Sequence, residues 1–491
     1  MKTSKLEKIL GIEFPQECKI SSVTNTSKKI KKGSIFFGLQ GTNEHGSNYA
    51  LEALDIGASF VVHNDKNLQT NNKRIFYIEN LENKIVKFLD SFYGININNN
   101  NFFAFTGTNG KTSSAFLSHQ LLTSMRYESI YIGTIGVKHN DKELKTSLIS
   151  NTTPDIFELY EIVNSFDLGI GSLNICIELS SHALDQQRLK GIDYFKSAAI
   201  LNIENDHLDY HGNINSYKKA KFQIFKTNSL VRLIQEDLVR YKNEFKFLDN
   251  DNHKLISISS NNNSADIFFK IMDISIKEAE FCIHVNNSLQ GEEYKKGKKY
   301  QFKCNLFPEF NITNLVFSIC SIGLNKFSEN VINDLSFLKL PTGRSEFIED
   351  ISANVIVDYA HNEHAIKFFL NSIGKYFDNL IVVFGCGGNR DKEKRSKMLK
   401  NAIDASSKVI FTSDNVRNET FEKIFDDAKK GNRLDKVISI KDRKEAIIQG
   451  SKMITDKDCL VILGKGHEQY QEINGSLIKY SDFEVIDEIY S

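Results

Sequence analysis

The sequence has no tryptophan, four prolines, no surplus of charge of either sign and no long apolar run, and each of these absences excludes something. Its 62 basic and 62 acidic side chains cancel, so no long-range field draws the chain to nucleic acid or to an anionic membrane, although a small anion held locally is still allowed. No run approaches the roughly 18 apolar residues of a membrane span. The opening MKTSKLEKILGIEF lacks the apolar core and small-residue cleavage site of an export signal. A cytoplasmic protein with no nucleic-acid or membrane partner is expected. The seven cysteines (Cys18, Cys176, Cys282, Cys304, Cys320, Cys386 and Cys459) are odd in number, scattered and free of any C-x-x-C, which argues against a disulfide framework or a zinc knuckle. At 491 residues the chain is too long for one domain and suits about three.

What is present is organised around Asn101 to Met125, NFFAFTGTNGKTSSAFLSHQLLTSM. Phe102 to Phe105 read as a buried strand, Thr106 to Gly110 as a turn, and Lys111 onward as a helix with Ala115, Phe116, Leu121 and Leu122 on its apolar side. This is the layout of a phosphate-binding loop. Unpaired N–H groups and the positive end of the helix dipole favour a triphosphate there; Gly107 and Gly110 permit close approach, Thr108 and Asn109 complete the turn, Lys111 supplies a charge, and the Thr112 hydroxyl can ligate Mg²⁺. Phe105 stands where the common G-x-x-x-x-G-K-[ST] pattern has its first glycine, so a chance Gly-Lys-Thr in a surface turn stays open.

In chain order, residues 1–97 alternate short apolar runs with helical patterns and read as a small α/β domain, closed by the polar Gly94 to Asn100, read as a linker. Residues 98–339 form a central domain with strands at Ser129 to Gly133, Leu173 to Leu179 and Ala198 to Ile203. Ligands of doubly wound sheets sit beyond the carboxyl ends of such strands. Those ends carry Glu178 with Ser180-Ser181-His182, and Asn202 with Asn205-Asp206-His207-Leu208-Asp209-Tyr210-His211. A lone His207 is more often structural than a ligand, and from spacing alone Lys221 reads as a solvated helix lysine like Lys218 and Lys219. The stretch from Ile256 to Phe307 is strand-like and carries no assignable chemistry. Residues 340–491 repeat strand then helix as a Rossmann-like parallel domain, with polar strand-end clusters at Asp358-Tyr359-Ala360-His361, Gly385 to Asp391, Ser413 to Arg417 and Gly464 to Glu468.

The T-G-T-N-G-K-T turn resembles, letter for letter, the loop of the Mur ligase family of ATP-dependent amide-forming enzymes, which have folylpolyglutamate synthetases as relatives. IELSSHALDQQR and NIENDHLDYHG resemble two further blocks of that family. The resemblance implies an α/β fold of three domains: an N-terminal UDP-binding domain, a central P-loop ATPase-like domain and a C-terminal Rossmann-like domain. It further implies that Glu178 and His207, with Thr112, hold Mg²⁺, and that Lys221 is carbamylated to N6-carboxylysine. These residues and Lys111 make up the implied catalytic group. Ser27, Thr152, Thr153, Ser180, Gln186 and Arg188 are implied to contact the muramyl-peptide, the last five on or beyond an N-T-T-P turn at Asn151 to Pro154. In the N-terminal domain, Ser27-Lys28 and His45-Gly46 fill places where the family has a serine-arginine pair and an Asp-Gly turn. ATP falls to Gly107 to Thr112, to Asn311 and Asn314 behind Pro308, and to Arg344 and Asp358.

By the same resemblance Arg390, Asp414, Asn415, Arg417, Gly464 and Glu468 hold the incoming amino acid. The small-molecule partners implied are ATP, UDP-N-acetylmuramoyl-L-Ala-D-Glu and meso-diaminopimelate, handled by a monomer. The diaminopimelate-adding members have D-N-P-R where this chain has Asp414-Asn415-Val416-Arg417. A guanidinium can take the extra carboxylate of diaminopimelate through two parallel hydrogen bonds. Lysine, lacking it, is expected to leave Arg417 unpaired and to be rejected.

Overall fold

Three main sheets account for the strand patterns. The computed structural model describes the chain apart from residues 42–43, 141, 145–151, 167–171, 246–254 and 288–293 and the side chains of Glu143 and Asp209. Asn151 of the expected N-T-T-P turn and the Asp209 carboxylate therefore lie outside the described residues.

The first sheet is parallel, with strands in the order Ser22–Thr24, Ser34–Gly38, Phe60–His63 and Ile75–Tyr77. Its two-residue alternation divides the core: Ile35 and Phe37 pack into one layer, Phe36 and Val61 into the other. The first layer is shared with Phe157, Tyr160, Ile175 and Ile177 of the central region, so this unit is fastened to the next by a continuous apolar core. The stretch expected as a plain linker also takes part. Ile97 is fully buried in a 3-10 turn, Ile97–Asn99, and its N–H donates to the Asp90 carboxylate at 3.0 Å. Two isoleucines in a polar run anchor it, Ile97 fully buried and Ile95 packed against the same core, because burying an isoleucine contributes about 2 kcal/mol.

Among the described residues the central sheet has twelve strands. At its middle, six parallel neighbours run in the order Leu255–Ser259, Asn228–Gln235, Tyr194–Ile200, Asn101–Thr106, Asn174–Glu178 and Ser129–Gly133. Register puts Phe105 opposite Glu178 and Thr106 opposite Ile200, which delivers the phosphate turn, Glu178 and the Asn202–His207 segment to one edge. The strand-like 256–307 stretch extends the sheet through Ile267–Ile274, Ala279–Val285 and Lys299–Cys304. The helix Lys111–Ser124 differs from the stripe expected of it. Phe116 is only half-buried, whereas Ser114, Leu117, Ser118 and His119 are buried. The cause is a second covering layer: helix Glu309–Ile322 packs over it, with Ser318 donating to the Ser114 carbonyl at 2.9 Å.

The C-terminal sheet runs Glu346–Phe347, Val355–Asp358, Cys459–Leu463, Leu380–Phe384, Lys408–Phe411 and Val437–Ser439, parallel except at the first strand. Apolar clusters cover both faces. Beyond Glu468 an antiparallel hairpin, Tyr470–Ile473 with Ser476–Lys479, turns at Asn474-Gly475, both at positive φ (49° and 76°). That dipeptide is the usual signature of a tight hairpin turn.

Candidate active site

The phosphate turn is shaped by backbone and by its neighbours. Gly110 has φ +85°, and a Cβ there would lie 2.4 Å from Asn314 Oδ1, so only glycine fits without displacement. Asn202 clamps the turn from the next strand end, accepting from Asn109 N at 2.8 Å and donating to Asn109 O at 3.0 Å. Thr108 is tied to Glu204 and to the Tyr217 hydroxyl. The Lys111 ammonium donates to the carbonyls of Gly107 and Thr108, both at 2.8 Å. Burial pushes its pKa down, opposed by Glu178 and Asp206.

Glu178 is fully buried at the end of its strand. It accepts from Thr112 Oγ1 at 2.9 Å, from Thr134 N at 2.8 Å and Thr134 Oγ1 at 3.2 Å, and from the Tyr131 hydroxyl. Gly133 makes room for it, since a Cβ there would stand 2.0 Å from Glu178 Oε1. Tyr131 and Thr134 were not singled out from sequence; Thr134 carried a signal, as the first residue after an apolar strand. His207 sits at φ 50°, and its Nε2 is 3.7 Å from Asp206. Partial burial, with His182, Lys111 and Lys221 and against Asp206, pushes its pKa down to about 4. The neutral ring this leaves at pH 7 is the form that binds a metal.

Lys221 is not the solvated lysine that spacing suggests. It is 1% exposed, and its Nζ donates to the Gly107 carbonyl at 2.7 Å, the same oxygen that Lys111 uses. Burial, and after it the Lys111 charge, hold its pKa well below the ordinary value.

From the C-terminal unit, Arg344 Nη2 reaches Thr112 Oγ1 at 3.3 Å while its guanidinium lies over the Tyr359 ring. Arg344 Nε is buried with no hydrogen-bond partner, an orphan donor beside the phosphate turn. Asp358 accepts from Ser345 N and Ala360 N, each at 2.7 Å, so it orders the segment that carries Arg344. Asn311 and Asn314 are buried, and their amides donate to Phe307 O at 2.9 Å and Asn311 Oδ1 at 3.1 Å. They brace the helix under Gly110.

The implied muramyl-peptide residues fall on the other side of the turn. Thr152 Oγ1 is 3.3 Å from Thr134 Oγ1. Thr153 is turned inward, donating to Glu178 O and accepting from Ser180 N, and Ser180 caps the helix Ser181–Asp185. Arg188 donates to Gln186 at 2.9 Å and to Thr153 O at 2.8 Å. Arg188 also lines a cavity of about 260 Å³ with Thr24, Asn25, Thr26, Lys29 and Asp155, next to the half-buried Ser27. His45 is engaged locally, accepting from Ser47 N at 3.1 Å.

In the C-terminal unit the strand-end clusters converge. Asn415 donates to Glu468 Oε2 at 2.9 Å, and the fully buried Lys465 donates to Asn415 Oδ1 at 3.1 Å and to Glu468 Oε2 at 2.9 Å. Gly464 lies against Asp414, where a Cβ would be 2.6 Å from Oδ2. Arg390 is exposed at the rim. Arg417, at φ 50°, donates from Nη1 to Gly388 O at 2.9 Å, and its Nε pairs with Glu472 Oε2 at 2.9 Å. The expectation of a guanidinium left unpaired in the absence of a ligand carboxylate does not hold: the hairpin supplies one.

The phosphate turn and the Rossmann-like unit meet at Thr112 and Arg344, and the sequence relatives give the class, ATP-dependent ligases that join an acid to an amine. Residues 105–322 match the Mur ligase middle domain and residues 343–466 the Mur ligase glutamate ligase domain. The chain is 33% identical over 478 residues to the UDP-N-acetylmuramoyl-L-alanyl-D-glutamate--2,6-diaminopimelate ligase of Aquifex aeolicus, covering 96% of this chain and 94% of that one. The like-named protein of Wigglesworthia glossinidia brevipalpis is 34% identical over 487 residues, covering 96% and 95%. A solved structure under the same name superposes with a TM-score of 0.66 at 28% identity, over 99% of this chain and 98% of that one. The chain belongs to the Mur ligase family. Among the described residues no helix is long and apolar enough to cross a membrane.

Proposed function

We propose that this ligase joins meso-diaminopimelate to the D-glutamyl carboxyl of UDP-N-acetylmuramoyl-L-Ala-D-Glu as ATP becomes ADP and phosphate, in the synthesis of peptidoglycan precursors. The observation that carries the reading is the meeting of Arg344 with Thr112, because it sets the amine-holding unit across a single cleft from the phosphate turn. The named relatives supply the substrates.

In this reading the D-glutamyl carboxylate attacks the γ-phosphorus, the bond to the β-phosphate oxygen breaks, and an acyl phosphate forms. The uncharged amine of diaminopimelate then attacks the acyl carbon; phosphate leaves and the amine loses its proton. Lys111 gives up its carbonyl partners to meet the negative charge that spreads over the transferring group. Gly107 to Thr112 cradle the phosphates, Arg344 turns its orphan Nε to them, Asp358 keeps that segment in place, and Asn311 and Asn314 support the loop from behind.

Thr112, Glu178 and His207 would hold Mg²⁺. Thr112 and Glu178 set two oxygen donors 2.9 Å apart and leave the other positions to the His207 ring, phosphate oxygens and water, although among the described residues no three His, Cys, Asp or Glu side chains already gather round one point. When bound, the ion neutralises charge on the phosphates. Lys221 is the carbamylation site: two amines on one carbonyl oxygen cannot both stay charged at low cost, and the uncharged one can take up CO₂. Ser27, Thr152, Thr153, Ser180, Gln186 and Arg188 hold the muramyl-peptide along the cleft that opens on the N-terminal unit. Arg390, Asp414, Asn415, Arg417, Gly464 and Glu468 hold the amino acid. One chain supplies all three pockets, which supports a monomer, and substrates of this class support a cytoplasmic location.

The test is product formation from purified protein, ATP and the muramyl dipeptide with each candidate amino acid, read by mass. ADP release that needs all three substrates, with diaminopimelate preferred, is expected. Absence of amide with every amino acid from protein that binds ATP overturns the reading. The Arg417–Glu472 pair favours one second reading, an enzyme that also accepts L-lysine, since a ligand without the extra carboxylate leaves Arg417 satisfied.

A further inference from the structure

Arg417 offers a ligand two forks, Nε with Nη2 and Nη1 with Nη2. One arm of each is already taken. Nη1 donates to Gly388 O at 2.9 Å and to Asn415 O at 3.4 Å, and Glu472 Oε2 stands 2.9 Å from Nε as an ion pair, close enough to keep a second carboxylate oxygen off it. A bidentate carboxylate therefore cannot be seated while Glu472 stays where it is. The backbone cannot carry Glu472 away, because it is stapled on both sides. Arg417 N donates to Glu472 O, Glu472 N to Asn415 Oδ1, and Asn474 N to Arg417 O, each at 2.9 Å. Only the side chain is free to move, and at 31% exposed it has solvent to move into.

The geometry points to Glu472 as a built-in stand-in for the substrate's carboxylate, one that loosens the selectivity of this ligase for a diamino diacid over a diamino monoacid. The inference rests on the proposed role of Arg417. With diaminopimelate, the ligand's carboxylate replaces Glu472 on Nε and adds Nη2, so binding is an exchange and part of its gain offsets the broken pair. With lysine no exchange takes place. Arg417 keeps its internal partner, the penalty for an orphaned guanidinium disappears, and the Glu472 carboxylate stands ready for the ammonium of lysine.

The experiment is steady-state kinetics of the full chain with meso-diaminopimelate and L-lysine for wild type, Glu472→Gln, Arg417→Ala and the double variant, with the melting temperature as a fold control. The Glu472 side chain bears none of the hairpin's backbone bonds, so Glu472→Gln should melt as wild type does. A half-exposed ion pair is worth up to about 1 kcal/mol, so Glu472→Gln is expected to raise kcat/KM for diaminopimelate roughly fivefold, through KM with kcat unchanged. The value for lysine should fall, and the preference between the two should widen about tenfold or more. In the Arg417→Ala background the Glu472→Gln change should have no effect on diaminopimelate. An unchanged or narrowed preference in Glu472→Gln, with Arg417→Ala still selectively losing diaminopimelate, overturns the stand-in and leaves the proposed function intact. If Arg417→Ala affects both amino acids alike, the role of Arg417 falls and the stand-in falls with it.

Discussion

The two sites on either side of the cleft are built on opposite plans. The phosphate side is made of backbone and buried groups, with Gly110 and Gly133 admitting neighbours that any side chain would block and Glu178 fully buried. The side proposed for the amino acid is made of side chains already paired with one another, the part-exposed Arg417 with Glu472 and the buried Asn415 with Glu468. A triphosphate is the same in every turnover and can be met by a rigid frame. An amino acid must be distinguished from near relatives, and side chains that first satisfy each other set how strict that distinction is. Changes on the phosphate side should therefore abolish turnover, and changes on the other side should alter preference.

The largest effect is expected of Lys111→Ala. The Lys111 ammonium bonds only the turn's own carbonyls, of Gly107 and Thr108, so the fold should survive with little change in melting temperature. Losing one preorganised contact to the transferring charge costs about 3 kcal/mol or more, at least a hundredfold in kcat. Turnover within about tenfold of wild type would remove Lys111 from its role.

Next comes Lys221→Ala, which removes both the candidate carbamate and a buried amine. It should be nearly inactive, and added short-chain carboxylates should restore part of the rate by filling the anion position. Mass spectrometry of the intact protein under CO₂ should show a labile addition of one carboxyl group in wild type only. Full activity of the alanine variant contradicts the carbamate.

Arg417→Ala is smaller and selective. Hydrogen bonds to a charged partner are worth about 1.5–3 kcal/mol, so kcat/KM for diaminopimelate should drop by roughly ten- to a hundredfold. The value for lysine should change little. Equal losses for both amino acids would show that Arg417 holds the pocket together without reading the carboxylate.

Much of the phosphate side was legible in the sequence, because its chemistry is local: a strand, seven residues and a helix, with acids and histidines at the next strand ends. What was not legible depends on register between distant segments. Nothing near Tyr131 announces that its hydroxyl meets Glu178, and the resemblance that assigns Asn314 to ATP does not announce that its side chain stands against Gly110. The misjudged helix face has the same origin, since Ser114 and Ser118 look solvent-facing until Glu309–Ile322 covers them. The hairpin beyond Glu468 is a different case. Asn474-Gly475 was a readable turn signal, but that the turn brings Glu472 to Arg417, 55 positions earlier in the chain, follows only from the fold.

The smallest effect concerns the support behind the amino-acid pocket. Glu419 accepts from Arg395 Nη2 at 2.7 Å, from Arg395 Nη1 at 3.1 Å and from Asn389 N at 2.6 Å, and Arg395 Nη2 also donates to Gly387 O at 3.2 Å. It thus braces the loop whose Gly388 carbonyl holds Arg417. The Arg395 guanidinium, chiefly, holds the Glu419 carboxyl down at about 2. A carboxyl depressed in the folded state stabilises above its unfolded pKa of about 4.3, and that stability is lost as pH falls toward the folded value. Denaturant unfolding of the wild type should therefore lose stability between about pH 5 and pH 2 in part through this group. Glu419→Gln cannot titrate there, so its deficit relative to wild type should be largest near pH 6 and shrink as the medium becomes acid, by about 1 kcal/mol after solvent screening. The pocket should loosen with it, raising KM for the amino acid while KM for ATP stays put. A deficit that is constant from pH 6 to pH 2.5 would mean that the Arg395–Glu419 pair is not what couples this loop to pH.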